Sequence, residues 1–209
     1  MPLGAERQRW NHNIQYHPLL LGALPPSCDH ALDVGCGEGI LAAELSSRSQ
    51  RVTAIDVDAS TIALAQQDGH AHNIDYLLAD FLTYPFEPAS FDAIVSVAAV
   101  HHMGTAAALE RMRALVRPAG TIAIVGLGRS GTATDLAYDI AGAVVTRVHQ
   151  LTKPYWESSA PTIWPPAETF SEVRRAARRI LPGARYRRHA LWRYSLVWSK
   201  PRPTYGASE

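Results

Sequence analysis

The sequence is poor in cysteine and contains no long apolar run. Its 209 residues include two cysteines, Cys28 and Cys36, so no disulfide framework is implied and a reducing compartment fits. No apolar run approaches the roughly 18 residues that cross a membrane, and the first residues lack the charged-then-apolar layout of a signal peptide. No Cys or His spacing resembles a zinc site. We therefore expect a cytoplasmic protein that engages neither a membrane nor a metal.

The net charge is also close to zero. A formal charge of +1 gives no overall basic field that would attract nucleic acid or an anionic membrane surface. One local exception is a group of arginines near the C-terminus, namely Arg174, Arg175, Arg178, Arg179, Arg185, Arg187, Arg188 and Arg193. A basic stripe marks a phosphate-binding surface when it faces an active site. The i, i+4 spacing of Arg174 with Arg178 instead favours the solvent side of a helix.

Apolar residues make up 47% of the chain, enough for the core of one α/β domain with a few tens of residues left for a lid. Short apolar runs alternate with helix-spaced segments, which favours parallel βαβ units with helices on both faces of one sheet. The predicted strands are Ala31–Gly35, Arg51–Val57, Tyr76–Leu78, Phe91–Val97 and Thr121–Val125. Leu109, Met112 and Val116 show helical spacing. Towards the C-terminus a helix is predicted over Glu168–Leu181, followed by paired strands over Arg185–Arg193 and Tyr194–Lys200.

A glycine-rich turn follows the first predicted strand in the segment Leu32-Asp33-Val34-Gly35-Cys36-Gly37-Glu38-Gly39-Ile40-Leu41. Glycines let the backbone bend sharply and approach a ligand closely, and the following helix N-terminus favours an anion such as an amino-acid carboxylate. The glycines are spaced G-x-G-x-G, and Ile40 stands where the dinucleotide fingerprint G-x-G-x-x-G requires glycine. The spacing therefore disfavours a nicotinamide enzyme.

Acidic residues close the next two strands, where ligands of parallel sheets bind. A carboxylate at Asp56 would accept both hydroxyl hydrogen bonds of a ribose. The alternative for such a residue is a helix cap, which describes Asp58 better. Asp80 ends the third strand before Phe81, where an acid would accept a hydrogen bond from an adenine amino group and the ring would lie on the base. The alternative for Asp80 is a turn aspartate.

These segments together resemble the class I S-adenosylmethionine-dependent methyltransferases, and most of all the branch that contains small-molecule and quinone methyltransferases. The matching pieces stand in the family's order and spacing over Ala31–Leu41, Ala54–Asp58, Leu78–Phe81, Phe91–Met103 and Leu115–Thr121. Ala119 departs from the family, which usually has a second glycine in that turn. The resemblance implies a Rossmann-like α/β fold: a seven-stranded, mostly parallel sheet with an antiparallel last strand, helices on both faces and a helical or loop lid over the site.

The resemblance also implies the cofactor, S-adenosylmethionine, its product S-adenosylhomocysteine, and no metal. The cofactor-binding residues implied or proposed on this basis are Tyr16, Asp33, Gly35, Cys36, Gly37, Asp56, Val57, Asp80, Phe81, Val97 and Ala98. Asp33 would hold the methionine amino group and Tyr16 the carboxylate. Asp56 would hold the ribose, and Asp80 with Phe81 the adenine.

Methyl transfer requires alignment, exclusion of water and in some cases removal of a proton. His101 follows the fourth strand, and an imidazole with an unperturbed pKa near 6.5 would serve as the base. The alternative is a ring that packs under the ligand or caps a helix. The predicted acceptor-binding residues are Trp10, His102, Tyr155, Trp156 and Trp164. The alternatives are that Trp10 packs with Ile14 on the sheet edge and that the other aromatic residues anchor a loop.

The chain is predicted to be a single domain over 1–209, with an N-terminal cap helix in 1–27, a cofactor-binding core in 28–128, a lid in 129–167 and a C-terminal helix and strand pair in 168–200. The predicted function is in-line methylation of a small, aromatic or apolar acceptor, with no membrane or nucleic-acid partner. One alternative is an RNA methyltransferase that uses the arginine-rich segment, although Ser96-Val97-Ala98-Ala99 replaces the N-P-P-Y type of signature. Others are a quinone-biosynthesis methyltransferase and a non-catalytic binding module.

Overall fold

The protein forms a single seven-stranded sheet with helices on both faces. The computed structural model describes residues 11–67, 71–132, 164–189 and 191–202 and the single positions 135, 138, 142 and 147. The strands are β1 (His30–Val34), β2 (Arg51–Asp56), β3 (Ile74–Leu78), β4 (Phe91–Val97), β5 (Val116–Leu127), β6 (Arg185–Arg188) and β7 (Arg193–Ser199). Their order across the sheet is β3-β2-β1-β4-β5-β7-β6.

A 3-10 turn over Ile14–Tyr16 leads into the first helix of the chain. The described helices are α1 (His17–Leu21), α2 (Ile40–Ser46), α3 (Ala59–Gln67), α4 (Val100–Met103), α5 (Thr105–Leu115) and α6 (Phe170–Ile180). Among the residues that the structure describes, no helix combines the length and apolar character required to cross a bilayer.

The strand directions confirm the predicted fold class. Strands β1 to β5 pair in parallel, β7 runs antiparallel to β5, and β6 runs antiparallel to β7. The carboxyl ends of β1 to β5 and the amino end of β7 therefore meet at one edge of the sheet. Residues from the ends of these six strands, from the loops that follow β1 to β5 and from the loop that precedes β7 are available at that edge.

Several predicted boundaries differ from the structure, and the largest difference is at β5, which begins at Val116 instead of Thr121. Val116 was expected in a helix, but α5 ends at Leu115 and Val116 is extended and pairs with Phe91. Pro118 explains the early end, since a proline disfavours helical backbone just before it and supplies no N–H. The predicted strand over Arg185–Arg193 ends at Arg188, because a turn intervenes before β7 begins.

The hydrophobic core lies on both faces of the sheet. In β4, Ile94 packs with α5 and α6, while Ala93 and Val95 pack with the helices of the opposite face. This alternation follows from the two-residue period of a strand. Because helices cover both faces of the sheet, its carboxyl edge is where a ligand can bind.

Helix α6 turns its arginines outwards. Its N-terminus carries a capping box between Thr169 and Glu172, and its buried side is formed by Phe170, Val173, Ala177 and Ile180. Arg174, Arg175, Arg178 and Arg179 are all exposed. The predicted helix with a solvent-facing basic side is therefore confirmed.

Candidate active site

A cavity of about 840 Å³ opens at the carboxyl edge of the sheet. Six of the predicted site residues line it from the ends of β1 and β2, namely Asp33, Gly35, Cys36, Gly37, Asp56 and Val57. Six more line it from the segments after β3 and β4, namely Asp80, Phe81, Val97, Ala98, His101 and His102. Tertiary structure thus brings together twelve residues that the sequence spreads over 70 positions, from 33 to 102.

The glycine turn after β1 takes a shape that side chains would prevent. The N–H groups of Gly35 and Cys36 donate to Ile55 O at 2.8 and 3.2 Å, which holds the turn against β2. Gly35 has φ +72°, and a Cβ there would lie 2.1 Å from the Cβ of Ala99. Gly37 has φ +52° and faces open space. The first glycine is therefore required by packing, and the second leaves room for a ligand to approach the backbone.

Asp33 is a buried acid at the end of β1. It is 1% exposed, and its Oδ2 has no hydrogen-bond partner among the described residues. Burial, with a smaller contribution from the negative charge of Asp56, raises the pKa of Asp33 to about 8. An ammonium group placed here would ionise the carboxyl and satisfy the open oxygen. The site fits the methionine amino group of S-adenosylmethionine.

Asp56 connects the end of β2 to the glycine turn. Its Oδ2 accepts a hydrogen bond from Gly37 N at 2.8 Å, and its Oδ1 accepts one from Asp58 N at 3.0 Å. Each carboxylate oxygen has a second lone pair, so both can still accept from ribose hydroxyls. The prediction that Asp58 caps the next helix is confirmed, since its Oδ1 accepts from the N–H groups of Ser60 and Thr61.

The segment after β3 supplies an acid beside an apolar wall. Asp80 Oδ1 accepts a hydrogen bond from Leu82 N at 2.8 Å. This is the interaction expected of a turn aspartate, the alternative role given above for Asp80. The same residue lines the cavity. Phe81 is 3% exposed and belongs mainly to the hydrophobic core. A role for these two residues in holding adenine stays a prediction.

The chain leaves β4 through a strained residue and enters α4. Ala98 has φ +53° and donates its N–H to Val125 O at 2.7 Å. Non-glycine residues in this conformation are sparse and cluster at functional sites. The strained turn places His101 and His102 at the cavity wall, with their ring centroids 4.0 Å apart.

His101 is a neutral imidazole in a partly dry environment. Its Nδ1 is buried and has no hydrogen-bond partner in the described part of the chain. Burial lowers the pKa of His101 to about 4, with smaller effects from His102 and Arg193. This lies well below the unperturbed imidazole value of about 6.5, and the role of His101 as the base stays a prediction. At neutral pH the ring is uncharged, so one of its nitrogens has a lone pair that can accept a hydrogen bond.

Two predicted site residues lie elsewhere. Tyr16 is buried beside His189, with ring centroids 5.3 Å apart, and is not among the described residues that line the cavity. Trp164 is 55% exposed, meets the ring of Trp192 edge-on at 5.7 Å and is likewise absent from the described lining. Sequence could not place either ring, because each position depends on a contact with the C-terminal segment. The predictions for Trp10, Tyr155 and Trp156 lie outside the described residues.

Several lining residues were missed by the sequence reasoning. From the N-terminal segment, Asn11, Asn13, Ile14 and His17 reach the cavity, and Leu127 and Arg193 reach it from the ends of β5 and β7. Asn11 Oδ1 accepts from the N–H groups of Asn13 and Ile14, which fixes this segment over the site. The cluster of polar residues around Asn11 was a usable signal. Arg193 had none, since it was counted with the basic residues of the tail.

Known proteins resemble this chain over nearly its whole length. A family model described as a methyltransferase domain matches residues 32–124. An uncharacterized methyltransferase of Mycobacterium bovis is 40% identical over 195 residues, which cover 93% of this chain and 98% of the relative. A ubiquinone biosynthesis O-methyltransferase of Methylocella silvestris is 36% identical over 115 residues, which cover 54% of this chain and 44% of that protein.

Solved structures share the fold. One is a phosphoethanolamine N-methyltransferase of Haemonchus contortus, in complex with phosphomonomethylethanolamine and S-adenosylhomocysteine. Its TM-score is 0.63 at 15% identity, and the match covers 92% of this chain and 53% of the Haemonchus chain. An S-adenosylmethionine-dependent methyltransferase of Methanosarcina mazei has a TM-score of 0.60 at 16% identity, with 89% and 98% covered. With the sheet order, the glycine turn and the mycobacterial relative, these findings place the chain in the class I S-adenosylmethionine-dependent methyltransferases.

Proposed function

We propose that the chain methylates a small molecule bound in the same cavity as the cofactor. The observation that carries this proposal is the charge layout of that cavity, which has acids at the ends of β1 and β2 and a buried, neutral His101 after β4. Its volume of about 840 Å³ lies in the upper part of the range for small-molecule sites, roughly 300–1,000 Å³. A cavity of this size suits a cofactor together with a compact acceptor.

The strand order supports a division of the cavity into two halves. Asp33 and Asp56 lie at the ends of β1 and β2, and Asp80 follows β3; these strands are neighbours on one side of the sheet. The residues that follow β4 and β5 lie on the other side of β1, where the described lining includes His101 and Leu127. We assign the first half to the cofactor and the second half to the acceptor.

Methyl transfer depends more on how the cofactor and the acceptor are positioned than on reactive side chains. S-adenosylmethionine supplies a methyl carbon on positively charged sulfur; the acceptor's lone pair forms the new bond to carbon as the carbon–sulfur pair returns to sulfur. Asp33, Gly37 and Asp56 would hold the amino and ribose groups and so fix the line of attack. Fixing two reactants in this way contributes on the order of 7–11 kcal/mol to the barrier reduction.

His101 would receive the proton that an acceptor O–H or N–H releases. It lines the cavity, and its ring is neutral at physiological pH because burial lowers its pKa to about 4. A base with a low pKa does not remove the acceptor's proton before methyl transfer begins. His101 would therefore act mainly by accepting a hydrogen bond from the acceptor's O–H or N–H, which becomes more acidic during methyl transfer. The role requires the ring to be neutral before methyl transfer, and the ring becomes charged when it takes the proton.

Phenol or quinol O-methylation is the second candidate, favoured by the 36% identity with a ubiquinone biosynthesis O-methyltransferase over about half of the chain. RNA is not favoured. The four arginines of α6 are exposed on the helix, and none is among the described residues that line the cavity. A basic surface contributes to RNA methylation when it leads into the active site.

The test is transfer of labelled methyl from S-adenosylmethionine to a panel of phenols, quinols, amines, indoles and small acids, with RNA as a parallel acceptor. We expect label on one small-molecule class and none on RNA. Label on RNA alone would overturn the small-molecule proposal and would instead support an RNA methyltransferase that uses the exposed arginines of α6. Binding of S-adenosylhomocysteine, measured by calorimetry in the same preparation, separates a missing acceptor from an inactive protein.

Replacing His101 should affect turnover more than cofactor binding. We expect His101→Ala to lower kcat about 100-fold, the lower end of the effect of a general base, while the Kd for S-adenosylhomocysteine changes less than about threefold. Because the pKa of this ring, about 4, lies well below 6.5, the wild-type rate should show no inflection near pH 6.5 from this residue. His72→Ala, an exposed histidine outside the described lining, is the control. An unchanged kcat in His101→Ala would make the ring structural.

A further inference from the structure

We propose that the side-chain amide of Asn11 donates a hydrogen bond to a carbonyl oxygen of the acceptor, so that the enzyme favours acceptors that carry a carbonyl group. This inference rests on the proposed function and adds to it a substrate class and a residue that determines specificity. Asn11 lies in the segment before the first helix and lines the same cavity as Asp33 and His101.

The hydrogen bonds of Asn11 identify the two ends of its amide. One end accepts from Asn13 N at 2.9 Å and from Ile14 N at 3.0 Å. Because only an acceptor can take two N–H groups, this end is the oxygen, Oδ1, and the other end is the NH2 group. The backbone oxygen of Asn11 also accepts from Gln15 N at 3.2 Å, which closes the same turn. The amide is therefore held in one orientation.

The NH2 group is the polar part of Asn11 that remains for a ligand. The residue is 6% exposed and lines the cavity. None of the residues that the structure describes accepts a hydrogen bond from Nδ2, and this nitrogen is not one of the fully buried polar atoms without a partner. It therefore keeps contact with open space, which at this residue is the cavity. A ligand that displaces water from this donor must supply an acceptor in return.

The neighbouring contacts place Asn11 at the half of the cavity that we assign to the acceptor. Two residues further along the chain, Asn13 Oδ1 accepts a hydrogen bond from Arg193 at 2.8 Å. Arg193 is the first residue of β7 and pairs with Leu127, the last residue of β5. Strand β7 is three positions from β1 in the order β1-β4-β5-β7, which is about 14 Å at the usual spacing of strands. The turn that begins at Asn11 therefore lies near the ends of β5 and β7.

Asn11 and His101 offer an acceptor two neutral groups of opposite kind. The uncharged imidazole can accept a hydrogen bond from the O–H or N–H that is to be methylated, whereas the amide NH2 can only donate. The group opposite Asn11 must therefore be an oxygen or nitrogen with a lone pair. A carbonyl provides one without a donor of its own and without a negative charge, which the acids at the ends of β1 and β2 would repel. A hydroxyl or amine with a separate carbonyl matches both residues.

The test uses the enzyme saturated with S-adenosylhomocysteine and pairs of compounds that differ in one carbonyl group. The pairs are 2-hydroxyacetophenone with 2-ethylphenol, 4-hydroxyacetophenone with 4-ethylphenol, and 2-aminoacetophenone with 2-ethylaniline. Binding is measured by calorimetry. We expect at least one ketone to bind about three- to tenfold more tightly than its ethyl partner, the effect of one hydrogen bond between neutral groups. Absence of this preference in every pair would overturn the inference.

Asn11→Asp removes the donor and keeps the turn. An aspartate oxygen can accept from the same two backbone N–H groups, and aspartate is about as favourable as asparagine in this capping role. The preference for the ketone should disappear in this variant. Gln15→Glu is the matched control, because it adds the same charge to the same segment at an exposed position outside the described lining of the cavity. It should keep the preference.

Asn11→Ser is the second variant, and it separates loss of the donor from the added charge. Serine supplies an uncharged capping oxygen, and its shorter side chain does not extend to the place of the amide nitrogen. Thermal unfolding should show a folded protein, which should bind the two members of each pair equally. A ketone preference that persists in Asn11→Asp or in Asn11→Ser would overturn the inference and leave Asn11 with a role in the turn alone.

The cofactor's carboxylate is another group to which Asn11 could donate, and a separate arm distinguishes it. If Asn11→Ser weakens S-adenosylhomocysteine but not 5′-methylthioadenosine, which lacks the amino-acid group, Asn11 serves the cofactor and the acceptor inference is wrong. Failure of the two proposals is distinguishable. Labelled methyl on small molecules with and without a carbonyl alike, unaffected by Asn11→Ser, would leave the function standing and refute this inference. A ketone preference that depends on Asn11, with label on RNA alone, would refute the function.

Discussion

Replacing Asp33 by asparagine should weaken binding of S-adenosylhomocysteine by about 3 kcal/mol, on the order of 100-fold in Kd, because it removes the charged partner of the ligand's ammonium group. The free protein should fold normally at pH 7, since an asparagine closely resembles the protonated carboxyl that burial maintains there. Calorimetry with S-adenosylhomocysteine gives the loss directly. Binding of 5′-methylthioadenosine, which has no ammonium group, is the control and should change little.

Asp33 should also release a proton when the ligand binds. With a pKa of about 8, Asp33 holds its proton in about nine tenths of the free molecules at pH 7. Binding of an ammonium group should release that proton, which calorimetry in two buffers of different ionisation enthalpy detects. We expect release of close to one proton in the wild type and none from this site in Asp33→Asn. Equal release in both would show that Asp33 does not contact the amino group.

Asp33 also links stability to pH. In the unfolded chain the carboxyl has its ordinary pKa of 3.8, whereas in the free folded protein the pKa is about 8. The folded state therefore binds the extra proton. The stability contributed by this group is fully present below pH 3.8 and is lost as the pH rises to about 8. The free energy of unfolding of Asp33→Asn, relative to the wild type, should increase between pH 5 and pH 8 in urea titrations.

Gly35→Ala should be the most destabilising change in the glycine turn. The new Cβ would lie 2.1 Å from the Cβ of Ala99, and the residue would keep a φ of +72°. Overpacking and the left-handed conformation together cost about 2–5 kcal/mol of the free energy of unfolding. Relief of the clash would disturb the hydrogen bonds from the turn to Ile55 O and distort the adjoining cavity wall. We therefore expect loss of S-adenosylhomocysteine binding as well.

Gly183→Ala is the matched control for that substitution. Gly183 lies after α6, outside the described lining of the cavity, has φ +83° and has no atom within 4 Å of an added Cβ. Gly183→Ala introduces the unfavourable backbone conformation without the clash, so we expect the free energy of unfolding to fall by about 1–2 kcal/mol. Urea unfolding of both variants separates the two contributions. Equal losses would mean that the backbone conformation, and not contact with Ala99, makes glycine necessary at position 35.

The local pattern of the sequence was sufficient for the sheet and for one half of the site. Strand β4 was predicted over Phe91–Val97 and is observed over the same residues. A buried strand followed by a glycine turn and a helix has one favourable arrangement, so the order of residues along the chain places Asp33 and Gly37 at a strand end. The acids after β2 and β3 followed for the same reason, because parallel strands present their carboxyl ends at one edge.

Properties that depend on distant neighbours were decided by the tertiary structure. The imidazole of His101 has its ordinary pKa in isolation; burial in the folded protein lowers the pKa to about 4, with smaller effects from His102 and Arg193. Tyr16 was assigned to the cofactor from its place in the chain. Its ring packs beside His189, a contact over more than 170 positions that no local pattern reveals.

Arg193 illustrates the division most clearly. As a residue in the sequence it belongs to a basic tail, together with arginines that the structure leaves exposed on α6 and β6. The strained turn at Leu191 and Trp192 and the hydrogen bond to Asn13, 180 positions away, bring its charge into the cavity instead. The sequence by itself determined the fold and the side of the cavity that we assign to the cofactor, because both depend on local order along successive strands. Only the tertiary structure decided the side that we assign to the acceptor, because its described lining comes from the N-terminal segment and from the ends of β5 and β7, which meet only in the folded protein.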